Sequence, residues 1–212
     1  MKLKSFTFNQ FYENTFIVSD STNDCIIIDP GCYSNDEKNI LKKYIEDNNL
    51  NPVKLINTHC HIDHILGNKF VAITWDLNLE THQNDIELLE NSAEIARLYG
   101  FIDYEKSPST TQFLNEGDTV EFGNSKLKIL YTPGHAPGHI SLYSKEEKFI
   151  ISGDVLFKSS IGRTDLPGGD FNVLIESIKT KILCLDDDTV VYCGHGPATT
   201  VGYERANNPF LK

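Results

Sequence analysis

Seven residues, Thr58 to His64, read THCHIDH and gather three histidines and one aspartate into one short stretch. The whole chain has only 7 histidines, so this loop is far richer in ligand chemistry than its length warrants. Three later places offer the same kind of donor: His135 in TPGHAPGH, Asp154 in SGD and His195 in CGHG. Imidazole and carboxylate suit zinc, iron and manganese alike. A zinc ion takes about four donors, and a catalytic one about three from the protein, so His59, His61, Asp63, His64, His135, Asp154 and His195 are too many for a single ion. Shared between two divalent ions roughly 3.5–4 Å apart, with Asp154 bridging, they leave room for a water-derived nucleophile. That chemistry is hydrolytic, with Asp63 and Asp154 as its candidate catalytic carboxylates.

The surrounding pattern must bring these residues together. Short strands are expected at Lys2 to Phe8, Thr15 to Ser19 and Asp24 to Ile28, the last running into the turn DPG at Asp29 to Gly31. A helix follows, capped by Asn35, with Ile40, Leu41, Tyr44 and Ile45 at helical spacing. The strand Val53 to Asn57 then delivers the chain into THCHIDH. Residues two apart on an extended segment face the same way, so His59 and His61 can grip one ion while Asp63 and His64 turn towards a second. From about 75 to 111 the periodicity is helical and suggests a cap beside the site. Strands resume at Thr119 to Phe122, Leu127 to Thr132, His139 to Tyr143, Lys148 to Ile151 and Thr189 to Tyr192, with a helix from about Phe171 to Leu183. Each candidate ligand therefore sits at a strand end, where a rigid scaffold can hold functional loops.

At 212 residues one domain with a sizeable core is expected. Acidic residues outnumber basic ones by 30 to 19, giving a formal charge of -11, which disfavours a nucleic-acid partner. No apolar run approaches the ~20 residues of a membrane span, and the start reads as a strand rather than a signal peptide. Five cysteines without a C-x-x-C pair suit reduced thiols, so the chain is expected in the cytoplasm.

Residues beside the pattern have blander readings. His82 lacks a strand-end context and is expected on the surface. His139 fits ring packing or support of a ligand better than ligation, and Cys60 and Cys193 fit strand packing. Asp63 could instead cap the helix that follows it.

THCHIDH, TPGHAPGH, SGD and CGHG, with DPG upstream, resemble the metallo-β-lactamase superfamily over nearly the whole chain. SGDVLFKSSIGRTDLPGGD and GHGPATTVGYERANNPF are most similar to its short glyoxalase II-like hydrolases. The resemblance implies an α/β fold, a four-layer αββα sandwich. It implies that His59, His61 and His135 hold one metal, Asp63, His64 and His195 a second, and that Asp154 bridges them. Zinc is the first expectation, with iron or manganese as alternatives. Asp29 falls at the family's upstream aspartate, where it would orient a ligand, although a turn-forming role in DPG explains it equally well. The implied activity is hydrolysis of a small-molecule thioester, such as an S-hydroxyacyl glutathione, by a metal-bound hydroxide.

The chain departs from the longer glyoxalase II enzymes in two respects. Only 17 residues follow His195, so no counterpart of their helical carboxyl-terminal domain is expected. Arg163 stands where those enzymes carry a substrate-binding lysine, and Asp165 replaces a tyrosine. Arg163 can grip a substrate carboxylate or pair with Asp165 or Asp170. The nearest rival on the same scaffold is a persulfide dioxygenase with one iron on two histidines and one carboxylate, whose motifs also contain R-T-D. A metal-stabilised binding module is the non-enzyme reading; structural zinc sites are usually closed by four ligands that include cysteine, which this set lacks.

Overall fold

A computed structural model describes residues 1–212, which fall into two compact units, 1–113 with 121–125 and 114–120 with 126–212. Each unit carries most of one six-stranded sheet with helices beside it, the α/β class expected from the sequence.

In the first unit β1 (Lys2–Phe8), β2 (Glu13–Ser19) and β3 (Asp24–Ile28) run antiparallel in turn. β4 (Asn51–Ile56), β5 (Leu79–Thr81) and β6 (Gln112–Phe113) then add parallel to β3. β3 reads DCIII and is buried almost throughout, as a strand covered on both faces must be. The crossover between β3 and β4 is α1 (Asn35–Asp47), which buries Leu41 and Ile45. Its cap is Ser34 rather than Asn35: Ser34 and Glu37 form a reciprocal capping box, a stronger start signal than asparagine alone. After β4 come α2 (Ile62–Ile65) and α3 (Asn68–Trp75), and after β5 a 3-10 turn and α4 (Ile86–Leu98). The stretch from 75 to 111 is thus not wholly helical, because LET at Leu79–Thr81 extends the sheet. Three residues are too few for alternation to register against the helical periodicity around them.

The pairing fixes which loops meet. Ile28 lies opposite Ile56 and Ile56 opposite Glu80, so the parallel strands β3, β4 and β5 end side by side. Asp29, the THCHIDH loop and residues 82 to 85 therefore share one edge of this sheet.

The second sheet has the order β14-β13-β10-β9-β8-β7. Its strands are β7 (Thr119–Phe122), β8 (Ser125–Tyr131), β9 (Ile140–Ser144), β10 (Phe149–Gly153), β13 (Val190–Cys193) and β14 (Thr199–Thr200). Between β10 and β13 the chain makes a small hairpin, β11 (Leu156–Phe157) with β12 (Ser160–Ile161), and α5 (Phe171–Ser177). A π-helical turn at Ile178–Ile182 continues α5 over the span read as one helix. β10 and β13 are parallel with Gly153 opposite Cys193, which sets Asp154 and His195 on neighbouring strand ends. α6 (Val201–Asn207) closes the chain on a Thr200 cap. Leu174, Ile178, Val191 and Val201 are among the buried residues of this unit's core.

Candidate metal centre

In the first unit Asp29, His59 and His64 each bring a donor atom within 4.8 Å of the others. The hydrogen bonds order this group. Thr58 donates its hydroxyl hydrogen to Asp29 Oδ2 at 2.6 Å and its N–H to Oδ1 at 2.7 Å. Its Oγ1 must then accept from His59 Nδ1–H, 3.0 Å away, because the hydroxyl has only one hydrogen. His64 Nδ1 lies 3.2 Å from Asp29 Oδ2, which can only accept. Asp29 thereby places the proton of both imidazoles on Nδ1, leaving the lone pair on Nε2, the form a metal binds. It does so at φ 49, left-handed backbone that an aspartate adopts more readily than most residues.

The three imidazoles are close packed, with ring centroids 4.8 Å apart for His59 and His61 and 4.2 Å for His59 and His64. Asp63 sits in the first turn of α2, while the cap position is His61, with no side-chain cap bond. His64 Nε2 lies 3.6 Å from Asp63 Oδ2.

Three supports of this loop had no signal in the sequence. Asp85 is fully buried and accepts the Cys60 N–H at 2.8 Å, reaching from the turn after β5. Asn9 donates to the Asp63 and Gly31 carbonyls, both at 3.0 Å, from the β1–β2 turn. Glu13, fully buried on β2, has Oε1 3.9 Å from His64 Nδ1. Desolvation raises the Glu13 carboxyl well above its ordinary range, against the opposing pull of His64. Each support is a lone polar residue whose partner lies far off in sequence. His82 is also not at the surface: it is 6% exposed and accepts the Asn84 N–H on Nδ1, because it sits at the buried end of β5.

In the second unit one oxygen, Asp154 Oδ2, lies 3.5 Å from His135 Nε2 and 3.4 Å from His195 Nε2. These separations exceed the 2.7–2.9 Å of a charge-assisted hydrogen bond. They match two donors on one tetrahedral ion, which at about 2.1 Å from the metal stand about 3.4 Å apart. The donor set of each unit thus fits a divalent cation. His135 Nδ1 lies 2.7 Å from the Arg163 carbonyl, which can only accept, so this proton too sits on Nδ1. His139 accepts the Asp154 N–H on Nε2 at 3.1 Å while its Nδ1 meets Thr132 Oγ1 at 3.0 Å. Its ring nitrogens are engaged in holding the loop that carries Asp154. Arg163 forms an exposed two-point pair with Asp165, at 2.7 and 2.8 Å. The Arg163 bonds hold the Asp165 carboxyl down to about 2.

Cys25, Cys32, Cys60 and Cys193 are buried and Cys184 is exposed. Burial pushes the Cys25 and Cys193 thiols up to about 12 and raises Cys32 and Cys60 as well. At pH 8 a thiol of that kind is ionised about once in 10^4. Iodoacetamide should therefore label one cysteine of the native chain, Cys184, and all five after denaturation. Mass spectrometry reads the count. Rapid labelling of Cys60 or Cys193 in the folded protein would contradict their burial.

Known proteins resemble the chain over nearly its whole length. The family model described as the metallo-beta-lactamase superfamily matches residues 9–195. Hydroxyacylglutathione hydrolase GloC of Haemophilus influenzae is 37% identical over 216 aligned positions, covering 100% of this chain and 98% of that protein. The solved structure of BLEG-1 B3 metallo-beta-lactamase superposes with a TM-score of 0.91 at 32% identity, with full coverage of both chains. That of TTHA1623 in a di-iron-bound form gives 0.88 at 36% identity, covering 98% of this chain and 100% of the other. The chain belongs to the metallo-β-lactamase superfamily and has its α/β fold. Its class is that of the superfamily's metal-dependent hydrolases, and no helix is long and apolar enough to cross a membrane.

Proposed function

We propose that the protein is a thioester hydrolase of glyoxalase II type, acting on an S-hydroxyacyl glutathione or a related small thioester. In this reading His59, His61 and His135 hold one divalent ion, Asp63, His64 and His195 a second, and Asp154 is shared. The observation that carries the metal assignment is the single Asp154 oxygen 3.5 and 3.4 Å from two imidazole Nε2 atoms. The substrate class is supported by the full-length similarity to hydroxyacylglutathione hydrolase GloC. Zinc and iron both suit the donors, and the related TTHA1623 has been solved with two irons.

When bound, the ions supply a nucleophile from water near neutral pH and draw electron density from the scissile carbonyl. The protein's part is positioning. Asp29 and the Arg163 carbonyl hold imidazole protons on Nδ1, so His59, His64 and His135 offer Nε2 in fixed directions. The leaving thiolate, with an ordinary pKa near 8.5, needs no strong proton donor, whereas an amine leaving group would. Arg163, exposed and two-pronged, can exchange Asp165 for a carboxylate of the thiol carrier.

The test is a panel on protein of counted metal content: S-lactoylglutathione, other S-acyl thioesters, a β-lactam, and a persulfide with oxygen uptake recorded. Thioester cleavage with two metals per chain is expected. Oxygen uptake with one iron per chain and no thioester turnover would give the site to a persulfide dioxygenase. The similarity to BLEG-1 makes the β-lactam arm informative, and turnover there alone would replace the substrate class.

A further inference from the structure

The carboxyl-terminal stretch TTVGYERANNPF takes no part in that chemistry, yet it contains a fully buried carboxylate, Glu204. Three groups donate hydrogen bonds to that carboxylate. The Ser159 N–H reaches Oε1 and Oε2 at 3.1 and 3.0 Å, the Thr199 hydroxyl donates to Oε1 at 2.6 Å, and Asn208 Nδ2 donates to Oε2 at 2.8 Å. Asn208 also donates to the Ser160 carbonyl at 2.9 Å. These bonds grip the turn of the β11–β12 hairpin, where Ser159 holds φ 59, an uncommon conformation for a residue with a side chain.

The hairpin touches all three ligands of its unit. Asp154 enters it one residue before Val155, which accepts the Gly162 N–H. Arg163 leaves it and presents the carbonyl that accepts from His135 Nδ1. Phe157, on its first strand, meets the His195 ring edge-on with centroids 6.2 Å apart. At Gly162 a Cβ would collide with the Asp154 carbonyl and lie 3.2 Å from His135 Nδ1, so the return strand can approach only as glycine. We propose that this hairpin aligns His135, Asp154 and His195, and that Glu204 is a remote positioning residue that locks its turn.

The proposal rests on the reading of those three residues as metal ligands, and the test separates the two. Glu204→Gln keeps the size but turns one acceptor into an NH2 facing donors. Zinc affinity is measured by competition with a chromophoric chelator on the full chain. Wild type should bind two zinc ions, and Glu204→Gln should bind about tenfold more weakly, the lower end of the loss known for groups supporting metal ligands. In the metal-free protein the His135 Nδ1–H signal should exchange faster. Thr200→Ala removes the α6 cap, which accepts from the Tyr203 N–H, without touching the hairpin. It should lower the thermal midpoint and leave zinc affinity unchanged. If Glu204→Gln does not fold, Asn208→Ala takes its place with the same expected loss. Unchanged zinc affinity in the hairpin variant, or an equal loss in Thr200→Ala, overturns the lock alone. Wild type that binds no zinc overturns the ligand reading and the lock with it.

Discussion

Asp154→Ala is expected to lower kcat/KM for the best thioester by at least about 10^3-fold, equivalent to about 4 kcal/mol of transition-state stabilisation. Asp154 Oδ2 lies within 3.5 Å of both His135 and His195 Nε2, so its loss takes away an anionic donor those two imidazoles share. Folding should survive, because the contact His139 makes here is with the Asp154 backbone N–H and alanine retains it. His59→Ala should lose activity comparably, since it removes one of the imidazoles proposed to hold a metal and the Nδ1–H that Thr58 Oγ1 accepts. His82→Ala serves as the contrast. It removes a buried ring that caps a turn, so it should lose thermal stability and keep turnover. Steady-state kinetics and thermal melts on the three variants decide the matter. Equal activity in all three would refute the site assignment.

Metal removal should abolish turnover while leaving circular dichroism in the far ultraviolet nearly unchanged. Each unit has its own buried aliphatic core, with Ile17, Ile27, Leu55 and Val71 in one and Ile150, Leu174 and Val191 in the other. The secondary structure therefore does not depend on an ion. Stability does. A ligand present at about a thousand times its dissociation constant adds about 4 kcal/mol. For a chain of this length that corresponds to a midpoint shift of about 8–16 °C. Dialysis against a strong chelator followed by melts with and without zinc, iron or manganese measures the shift and identifies the metal that restores thioester cleavage. Full activity after verified metal removal would sink the metal reading. Collapse of the fold on chelation would instead favour ions that only hold strand ends together.

Much of this architecture was legible in the sequence, and the reasons are local. β1, β3 and β7 fall where alternation or a β-branched run bounded by turn residues places them. Short elements escaped. β5, β11, β12 and β14 have two or three residues each, too few to establish a period, and their pairing is supplied by neighbours already in the sheet. α6 escaped because its helical face is a single turn or two behind a run of threonines. Asp29 left two readings open in DPG, a turn former or a support for a ligand. The structure shows it bonded to Thr58 and facing His64 Nδ1.

The sequence by itself determined the donor types, their spacing in THCHIDH and their recurrence at strand ends, because side-chain chemistry and the two-residue period of an extended chain are local properties. Only the tertiary structure decided which groups hold those donors in place. Asp29 lies 29 residues from Thr58, Asp85 lies 25 from Cys60, and Glu204 lies 45 from Ser159. Such partners are chosen by strand pairing and burial, where a polar group removed from water must find a mate wherever the fold provides one.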